Sequence, residues 1–237
     1  MKAIIVAGGK GERLRPLTAR FPKAMIKVSG KPILEHIIIF LKKNGIKEII
    51  ISLCFLPDKI ISYFEDGSKF GVKISYVLEE ESKPLGTAGA VLGTKRFIKD
   101  TFIVTYGDIL RDLDVKNMLE FHKKKKGIGT LAIYRNTNTD PKSIVKIDGE
   151  YNVLEFIERP ALTDLKGKAV FSNASFYIFE PEIFDFIPKG EKSDFGRDIF
   201  PALLLNNQKI SAYLSCGYFA DIGDRKKLNY ARKTLGI

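Results

Sequence analysis

The residues best suited to chemistry lie in a glycine-rich loop near the amino terminus. The loop Ala7-Gly-Gly-Lys-Gly-Glu-Arg-Leu14 directly follows an apolar segment. Glycines carry no Cβ, so backbone N–H groups can approach an anion closely. Four cations, Arg13, Arg15, Arg20 and Lys23, lie within eleven residues of one another, and such groups bind polyphosphate. The loop predicts a phosphate site, with a solvated charged turn as the alternative.

Two well-known phosphate-binding loops do not fit this segment. The dinucleotide fingerprint would begin at Gly9 but needs a small residue where Leu14 stands, and Pro16 disfavours a regular helix directly afterwards. The P-loop needs a Gly-Lys-Ser/Thr tripeptide, which the sequence lacks. The loop therefore belongs to neither of these two classes.

Two aspartates occupy positions suited to a metal ion. Asp108 follows the apolar segment 102–106, and Asp221 lies late in the segment 217–223. Mg²⁺ favours one or two carboxylates together with phosphates and water. Aspartate is also a common helix cap, which is the alternative for each residue taken alone. Combined with the cationic loop, the pair predicts phosphoryl-transfer chemistry, in which positioning and charge neutralisation dominate.

The elements that must position these residues alternate between strands and helices. Apolar strands are predicted at 2–7, 48–55, 72–78 and 102–106, with helices at 32–44, 57–64 and 87–98. This alternation predicts an α/β fold with a parallel sheet covered by helices on both faces. Closely spaced strands at 129–135, 143–147 and 153–157 predict antiparallel hairpins, which makes the sheet mixed.

Composition narrows the function classes. The length of 237 residues allows one globular domain over 1–237, and no apolar run of membrane-spanning length or signal peptide occurs. We therefore expect a cytoplasmic protein with no membrane partner, and a homodimer, because symmetric pairs are commonest. Cys54 and Cys216 lie in predicted strands, without metal-binding spacing, and are expected to be buried thiols. His36 and His122 show no relay pattern.

The net charge of +11 favours anionic partners. The densest basic run, Lys123–Lys126, closes a predicted helix, where cations are favourable. No zinc-finger, RRM or KH pattern occurs. We expect a phosphate-rich small substrate and no nucleic acid.

Further stretches complete a pattern that resembles the sugar-1-phosphate nucleotidylyltransferase family over essentially the whole chain. Met1–Thr18 contains the loop, and the other matching stretches follow in the family's order: Phe21-Pro-Lys-Ala24, Gly30-Lys-Pro-Ile-Leu-Glu35, Leu85-Gly-Thr-Ala-Gly-Ala90, Gly107-Asp108, Glu158-Arg-Pro160, Asn173-Ala174 and Gly217-Tyr-Phe-Ala-Asp-Ile-Gly223.

The resemblance implies a Rossmann-like, three-layer α/β/α fold and an enzyme that uses Mg²⁺ to join a nucleoside triphosphate to a sugar 1-phosphate. The residues it assigns to nucleotide binding are Ala7, Gly8, Gly9, Gly11, Arg13, Glu79, Leu85, Gly86 and Thr87. Those it assigns to the sugar phosphate are Lys23, Glu158, Arg159 and Asn173. The metal ligands would be Asp108 and Asp221, and the catalytic residues Arg13, Lys23 and Asp108.

The sequence motifs indicate the identity of the nucleobase and of the sugar less strongly than they indicate the reaction. The Leu-Gly-Thr-Ala-Gly turn resembles guanylyltransferases that make GDP-mannose or GDP-heptose, so GTP and a mannose- or heptose-type sugar are favoured over UTP, dTTP or CTP. Arg159 replaces a usual lysine, Ser175 a common glycine and Phe219 a common tryptophan, which alters the implied sugar pocket. The chain stops after its final helix, so no β-helix domain is expected.

Three rival functions predict different sequences or behaviour. A GT-A glycosyltransferase usually shows Asp-x-Asp, whereas Asp108 is followed by Ile109 and Leu110. A non-catalytic nucleotide-sugar sensor would be expected to lose a metal ligand or a loop cation. A nucleic-acid binder would show strongly salt-dependent binding to unrelated oligonucleotides.

Overall fold

The computed structural model describes residues 1–136, 141–161 and 170–234. The strands in this part of the chain are β1 (Lys2–Val6), β2 (Lys27–Val28), β3 (Lys31–Pro32), β4 (Glu48–Leu53), β5 (Lys73–Leu78), β6 (Phe102–Tyr106), β7 (Ile109–Arg111), β8 (Gly129–Asn136), β9 (Ser143–Ile147), β10 (Val153–Glu158), β11 (Val170–Phe179), β12 (Ile210–Leu214) and β13 (Phe219–Asp221). The α-helices are α1 (Ile33–Lys43), α2 (Pro57–Phe64), α3 (Gly86–Leu92), α4 (Val115–Lys125), α5 (Phe200–Leu205) and α6 (Arg225–Thr234).

The main sheet has seven strands in the order β12-β8-β11-β6-β1-β4-β5. Strands β1, β4 and β5 pair in parallel, as do β8 and β12, whereas β11 runs antiparallel to β8. The predicted α/β class with a mixed, mainly parallel sheet is confirmed. Parallel neighbours place their carboxyl ends at the same edge, which is where open α/β sheets carry their binding loops.

The chain divides into two compact units. The first contains Met1–Pro84, Thr105–Asp112 and Gly217–Ile237, and the second contains Leu85–Val104 and Leu113–Cys216. The expectation of one domain over 1–237 stays a prediction. None of the helices within the described ranges is long and apolar enough to cross a bilayer.

The core of the first unit follows from its apolar strands and one amphipathic helix. Ile4 and Ile5 of β1 and Ile51 of β4 are fully buried, as expected for a parallel strand covered on both faces. Helix α1 buries Leu34 and Ile38, one turn apart on one face. This packing fixes the strand ends that carry the glycine-rich loop.

Aromatic rings form the core of the second unit. Tyr177 and Phe179 of β11 pack against Phe195 and Phe200, with ring centroids of Phe179 and Phe195 5.2 Å apart. All four side chains are fully buried. Large buried rings contribute strongly to core stability, so the segment that begins at Phe195 is firmly anchored.

Several local predictions are corrected by the structure. Strands β9 and β10 form the predicted hairpin, but β8 pairs with β11 and β12 instead of joining them. Helix α3 ends at Leu92, before the predicted Ile98, because Gly93 follows it and a 3₁₀ turn replaces its last part. Cys54 is buried as predicted, whereas Cys216 is exposed because β12 already ends at Leu214.

Candidate active site

Close packing shapes the glycine-rich loop. A Cβ on Gly8 would lie 2.9 Å from the Cβ of Cys54. Gly11 has a φ of +65°, and its Cβ would lie 2.9 Å from Cγ2 of Thr18. The hydroxyl of Thr18 donates to the carbonyl of Gly11 at 2.7 Å. A Cβ on Gly9 would meet nothing within 4 Å, so the backbone there is accessible to a ligand.

Lys23 and Asp108 form an ion pair. Lys23 opens a short 3₁₀ turn after Pro22, and Asp108 follows the end of β6. The Nζ of Lys23 donates to Oδ2 of Asp108, and the two side chains are 13% and 28% exposed. Gly107 donates its N–H to the carbonyl of Val6 at 2.9 Å. The pair therefore lies beside the start of the glycine-rich loop.

A short antiparallel pairing brings Asp221 to Asp108. Strand β13 pairs with β7, with Asp221 opposite Ile109. The N–H of Ile222 donates to the carbonyl of Asp108 at 3.0 Å. Two aspartates more than a hundred residues apart in sequence are thus neighbours across two strands. Strand β7 was not predicted from the sequence, because a strand of three residues is too short for a periodic signal.

Arg13 lies next to Asp221. A Cβ on Gly223 would lie 3.3 Å from both Nη2 of Arg13 and Oδ1 of Asp221. Nζ of Lys227 is 3.8 Å from Oδ2 of Asp221, whose side chain is 12% exposed. The N–H of Lys227, with the charges of Lys227 and Arg13, holds the pKa of Asp224 below its usual value. The first unit thus collects alternating cations and carboxylates in one place.

Glu79 and Cys54 lie near the same loop. The hydroxyl of Ser52 donates to Oε1 of Glu79 at 3.0 Å, which orients the carboxylate at the end of β5. Burial and the charges of Glu79 and Glu81 raise the pKa of the Cys54 thiol. A raised thiol pKa disfavours the nucleophilic thiolate, so Cys54 acts as a packing residue.

In the second unit, the turn Leu85-Gly86-Thr87 is held by hydrogen bonds. Gly86 has a φ of +77°, and its Cβ would lie 2.5 Å from the carbonyl oxygen of Ser193. The N–H and the hydroxyl of Thr87 donate to Oδ1 of Asp194 at 3.0 and 3.1 Å. Glycine is required at this turn both by backbone conformation and by space.

Glu158 and Asn173 lie on either side of Ser143. Glu158 is opposite Ser143 in the β10–β9 pairing, and the N–H of Asn173 donates to the hydroxyl of Ser143 at 3.0 Å. The side chain of Asn173 also donates to Tyr177 and accepts from the N–H of Ser175, both at 2.8 Å. The structure thus brings these two predicted sugar-side residues together.

Two backbone positions in this region have unusual conformations. Ser175 has a φ of +53°, and the β11–β8 register shifts between Asn173 and Tyr177. A left-handed backbone conformation favours glycine over a residue with a Cβ such as serine. Arg159 has a φ of +51° and an exposed side chain. The N–H of Arg159 donates to the carbonyl of Lys142 at 2.8 Å, and its role toward the sugar phosphate stays a prediction.

The carboxyl group of Glu158 is half-buried. Burial raises its pKa and the charge of Asp194 adds to this, while the cations Arg159, Arg197 and Lys142 act in the opposite direction. A Cβ on Gly196 would lie 2.6 Å from Oε2 of Glu158.

Four residues that contact the candidate site residues were not predicted from the sequence: Lys227, Asp194, Gly196 and Ser143. Lys227 is one of several basic residues of α6, and nothing in its spacing distinguishes it. Asp194, Gly196 and Ser143 act through contacts with residues distant in the chain, and no spacing in the sequence marks them.

The two histidines have structural partners. Nε2 of His36 donates to the carbonyl of Val28 at 2.7 Å. The ring of His122 is buried between the hydroxyl of Thr130 at 2.8 Å and Oε1 of Glu180 at 3.0 Å. These contacts account for both residues without a catalytic role.

Two carboxylates of the first unit are candidate ligands for a metal ion. Within residues 1–136, 141–161 and 170–234, no group of three or more histidine, cysteine or acidic side chains is arranged to hold a metal. Asp108 and Asp221 form a two-carboxylate set, and each already faces a lysine. This donor set fits Mg²⁺, which completes its shell with phosphate oxygens and water.

Comparison with known proteins identifies the family. Residues 2–236 match the family described as nucleotidyl transferase. The chain belongs to the nucleotidyl transferase family. Membership in this family agrees with the resemblance that the sequence shows.

Two relatives bear different substrate names. The chain is 37% identical over 220 residues to a UTP–glucose-1-phosphate uridylyltransferase from Synechocystis, covering 86% of this chain and 55% of the relative. It is 34% identical over 226 residues to a mannose-1-phosphate guanylyltransferase from Mycobacterium tuberculosis, covering 93% and 60%. The chain therefore spans between half and two thirds of the length of these relatives, and both bases occur among them.

Solved structures support the fold. HddC from Yersinia pseudotuberculosis complexed with GMP-PN superposes with a TM-score of 0.83 at 26% identity, covering 99% of both chains. A putative glucose-1-phosphate thymidylyltransferase from Bacillus anthracis superposes with a TM-score of 0.86 at 22% identity, covering 99% of this chain and 94% of that one. The second likeness concerns the fold alone.

Proposed function

We propose that the chain transfers a nucleoside monophosphate from a nucleoside triphosphate to a sugar 1-phosphate, releasing pyrophosphate. The observation that carries the proposal is the grouping of Arg13, Lys23, Asp108 and Asp221 beside the glycine-rich loop. Cations and carboxylates at one strand edge suit a polyphosphate and a divalent ion. Family membership supports this reaction class, and the geometry supports the roles proposed for the four residues.

In this reaction a phosphate oxygen of the sugar 1-phosphate attacks the α-phosphorus in line. The bond between the α-phosphorus and the bridging oxygen breaks, and pyrophosphate leaves. The attacking phosphate is already an anion, so no side chain has to remove a proton. The reaction needs alignment and charge stabilisation, which agrees with the structural roles of both histidines.

Different residues of the first unit are proposed to provide phosphate binding, charge stabilisation and metal binding. Open backbone at Gly9 accepts the phosphates, and the guanidinium of Arg13 binds the triphosphate in a forked geometry. Lys23 leaves Asp108 to neutralise phosphate charge in the transition state. Asp108 and Asp221 would hold Mg²⁺, which supplies charge neutralisation at the phosphate oxygens.

GTP is the proposed nucleotide, with a mannose- or heptose-type sugar 1-phosphate. The Leu85-Gly-Thr-Ala-Gly89 turn, the relative from Mycobacterium tuberculosis and the GMP-PN complex of HddC support a guanine base. The relative from Synechocystis favours the second candidate, a pyrimidine nucleotide. Glu79 and the 85–87 turn are proposed to face the base, and Glu158 and Asn173 the sugar.

The test is a panel that pairs each nucleoside triphosphate with several sugar 1-phosphates, with and without Mg²⁺. The proposal predicts pyrophosphate release that requires Mg²⁺ and is fastest with GTP and a mannose- or heptose-type substrate. If pyrophosphate release is fastest with UTP, the second candidate, a pyrimidine nucleotide, is the substrate and GTP is not. No release with any pair would overturn the reaction itself.

A further inference from the structure

One segment of the second unit contacts two parts of the proposed substrate site. This segment, Ser193–Asp198, runs into a π-helical turn at Phe195–Ile199, and we call it the clamp segment. Its Phe195 ring is fully buried and stacks on Phe179. π-helical turns often occur at functional sites. The aromatic core thus gives the clamp segment a fixed position.

The amino-terminal part of the clamp segment holds the proposed nucleotide turn. Oδ1 of Asp194 accepts both the N–H and the hydroxyl of Thr87. The N–H of Phe195 donates to the same hydroxyl at 3.1 Å. The N–H of Ser193 donates to the carbonyl of Leu85 at 2.9 Å. Hydrogen bonds therefore fix both ends of the Leu85–Thr87 turn to the clamp segment.

Gly196, two residues later, makes room for the proposed sugar ligand. Its Cβ would lie 2.6 Å from Oε2 of Glu158 and 3.2 Å from a ring carbon of Phe156. The backbone of Gly196 lies outside the left-handed region, so the glycine is needed for space and not for conformation. The Glu158 side chain is flexible at its end, so a larger residue would displace the carboxylate without forcing the backbone apart.

We propose that Asp194 and Gly196 are positioning residues for nucleotidyl transfer, Asp194 by fixing the Leu85–Thr87 turn and Gly196 by seating the Glu158 carboxylate. The clamp segment would then set the nucleotide-side and sugar-side contacts of this unit together. The inference rests on the proposed function, because it takes the turn to face the nucleotide and Glu158 to face the sugar.

Charge allows the two roles to be separated. Arg159, Arg197 and Lys142 favour the ionised form of Glu158, whereas Asp194 and burial oppose it. An Asp194→Asn change keeps the Oδ1 acceptor for Thr87 but removes the negative charge near Glu158. It should therefore keep the turn in place and lower the pKa of Glu158.

The sugar side is tested with Gly196→Ala, assayed with the substrates that the wild type uses. We expect about a hundredfold loss of kcat/KM for the sugar 1-phosphate, the usual effect of a misplaced contact, with KM for the nucleotide and Tm nearly unchanged. Gly149→Ala is the matched control, since a Cβ there meets nothing within 4 Å. A Gly196→Ala enzyme with wild-type kinetics would overturn the role of Gly196.

The nucleotide side is tested with Asp194→Ala and Asp194→Asn. We expect Asp194→Ala to raise KM for the nucleotide about tenfold, as for lost hydrogen bonds to a charged group. Asp194→Asn should have the KM for the nucleotide of the wild type. It should also move the acid limb of the pH profile of kcat/KM for the sugar 1-phosphate to lower pH. Asp185→Asn, an exposed carboxylate in an ion pair with Lys95, is the control. Unchanged nucleotide KM in Asp194→Ala would overturn the role of Asp194.

Amide hydrogen exchange provides a readout that does not need activity. The peptide that contains Thr87 should exchange faster in Asp194→Ala than in the wild type, and equal rates would contradict the inference. Thr87→Val removes the same hydroxyl contact from the other side if Asp194→Ala fails to fold. A wild type without pyrophosphate release refutes the proposed function, whereas exchange rates still decide whether the clamp segment holds the turn.

Discussion

The two units hold their acidic residues in different electrostatic surroundings. In the first unit, Asp108 is paired with Lys23, and Asp221 faces Lys227. In the second, Glu158 is half-buried, and its pKa is raised because burial outweighs the nearby cations. The difference suggests distinct tasks. Paired carboxylates can exchange a lysine for a divalent ion, whereas a half-buried carboxylate suits hydrogen bonds from sugar hydroxyls.

The largest effect is expected from Asp108→Asn. This change keeps the size of the side chain but removes the charge on which both Lys23 and the proposed Mg²⁺ depend. Turnover should fall by about 10² or more, as when a preorganised electrostatic stabiliser is lost. Steady-state pyrophosphate release measures it, with the exposed Asp112→Asn as control. An unchanged rate would show that Asp108 is not part of the active site. It would also contradict the distinct tasks assigned to the carboxylates of the two units.

Gly11→Ala tests the rigidity of the loop. A side chain would be strained at a φ of +65° and would lie 3.0 Å from Cβ of Lys23. We expect a loss of about 1–3 kcal/mol in the free energy of unfolding, measured in urea. Gly9→Ala, with open space around it, should change stability by less than about 0.5 kcal/mol. Equal losses in both variants would argue against a strained, lysine-positioning loop.

Lys23→Gln tests whether the lysine holds the place of a metal ion. Without the ammonium group, Asp108 lacks its counter-charge, so Mn²⁺ should bind the nucleotide-free variant about tenfold more tightly, a typical coupling between linked sites. Titration calorimetry without nucleotide measures this effect. The exposed Lys27→Gln is the control. Weaker Mn²⁺ binding in Lys23→Gln would show that the ion pair does not compete with the metal.

The smallest effect concerns the pH dependence of Glu158. The pKa of Glu158 in the folded protein is raised above its ordinary value. The free energy of unfolding therefore falls as pH rises from the ordinary pKa to the folded pKa, because the unfolded state loses the proton first. Glu158→Gln should therefore be more stable than the wild type at neutral pH, and the difference should vanish near pH ~4. Thermal unfolding across pH measures it, with the exposed Glu155→Gln as control. A difference that grows toward acidic pH would contradict the raised pKa.

The sequence predicted most of the fold because its strands and helices carry strong local signals. Apolar runs marked β1, β4 and β6, and the spacing of apolar residues marked α1. Strand β7 and the pairing of β8 with β11 and β12 were missed, since short strands and pairing partners are set by tertiary contacts and not by local pattern.

The candidate site was predictable where residue type carries the chemistry. Arg13, Lys23, Asp108 and Asp221 could be proposed from charge and glycine spacing, although their roles stay predictions. Asp194 and Gly196 could not, because they act through Thr87 and Glu158. Such indirect contacts join residues that are distant in the chain, and no spacing rule describes them.

The most direct measurement is phosphorus NMR of the protein with GTP, mannose 1-phosphate and Mg²⁺. We predict that the three triphosphate signals are replaced by those of pyrophosphate and a sugar diphosphate ester, which shows cleavage between the α- and β-phosphates. Conversion to GDP and inorganic phosphate, or a spectrum unchanged for this and every other substrate pair, would contradict nucleotidyl transfer at this site.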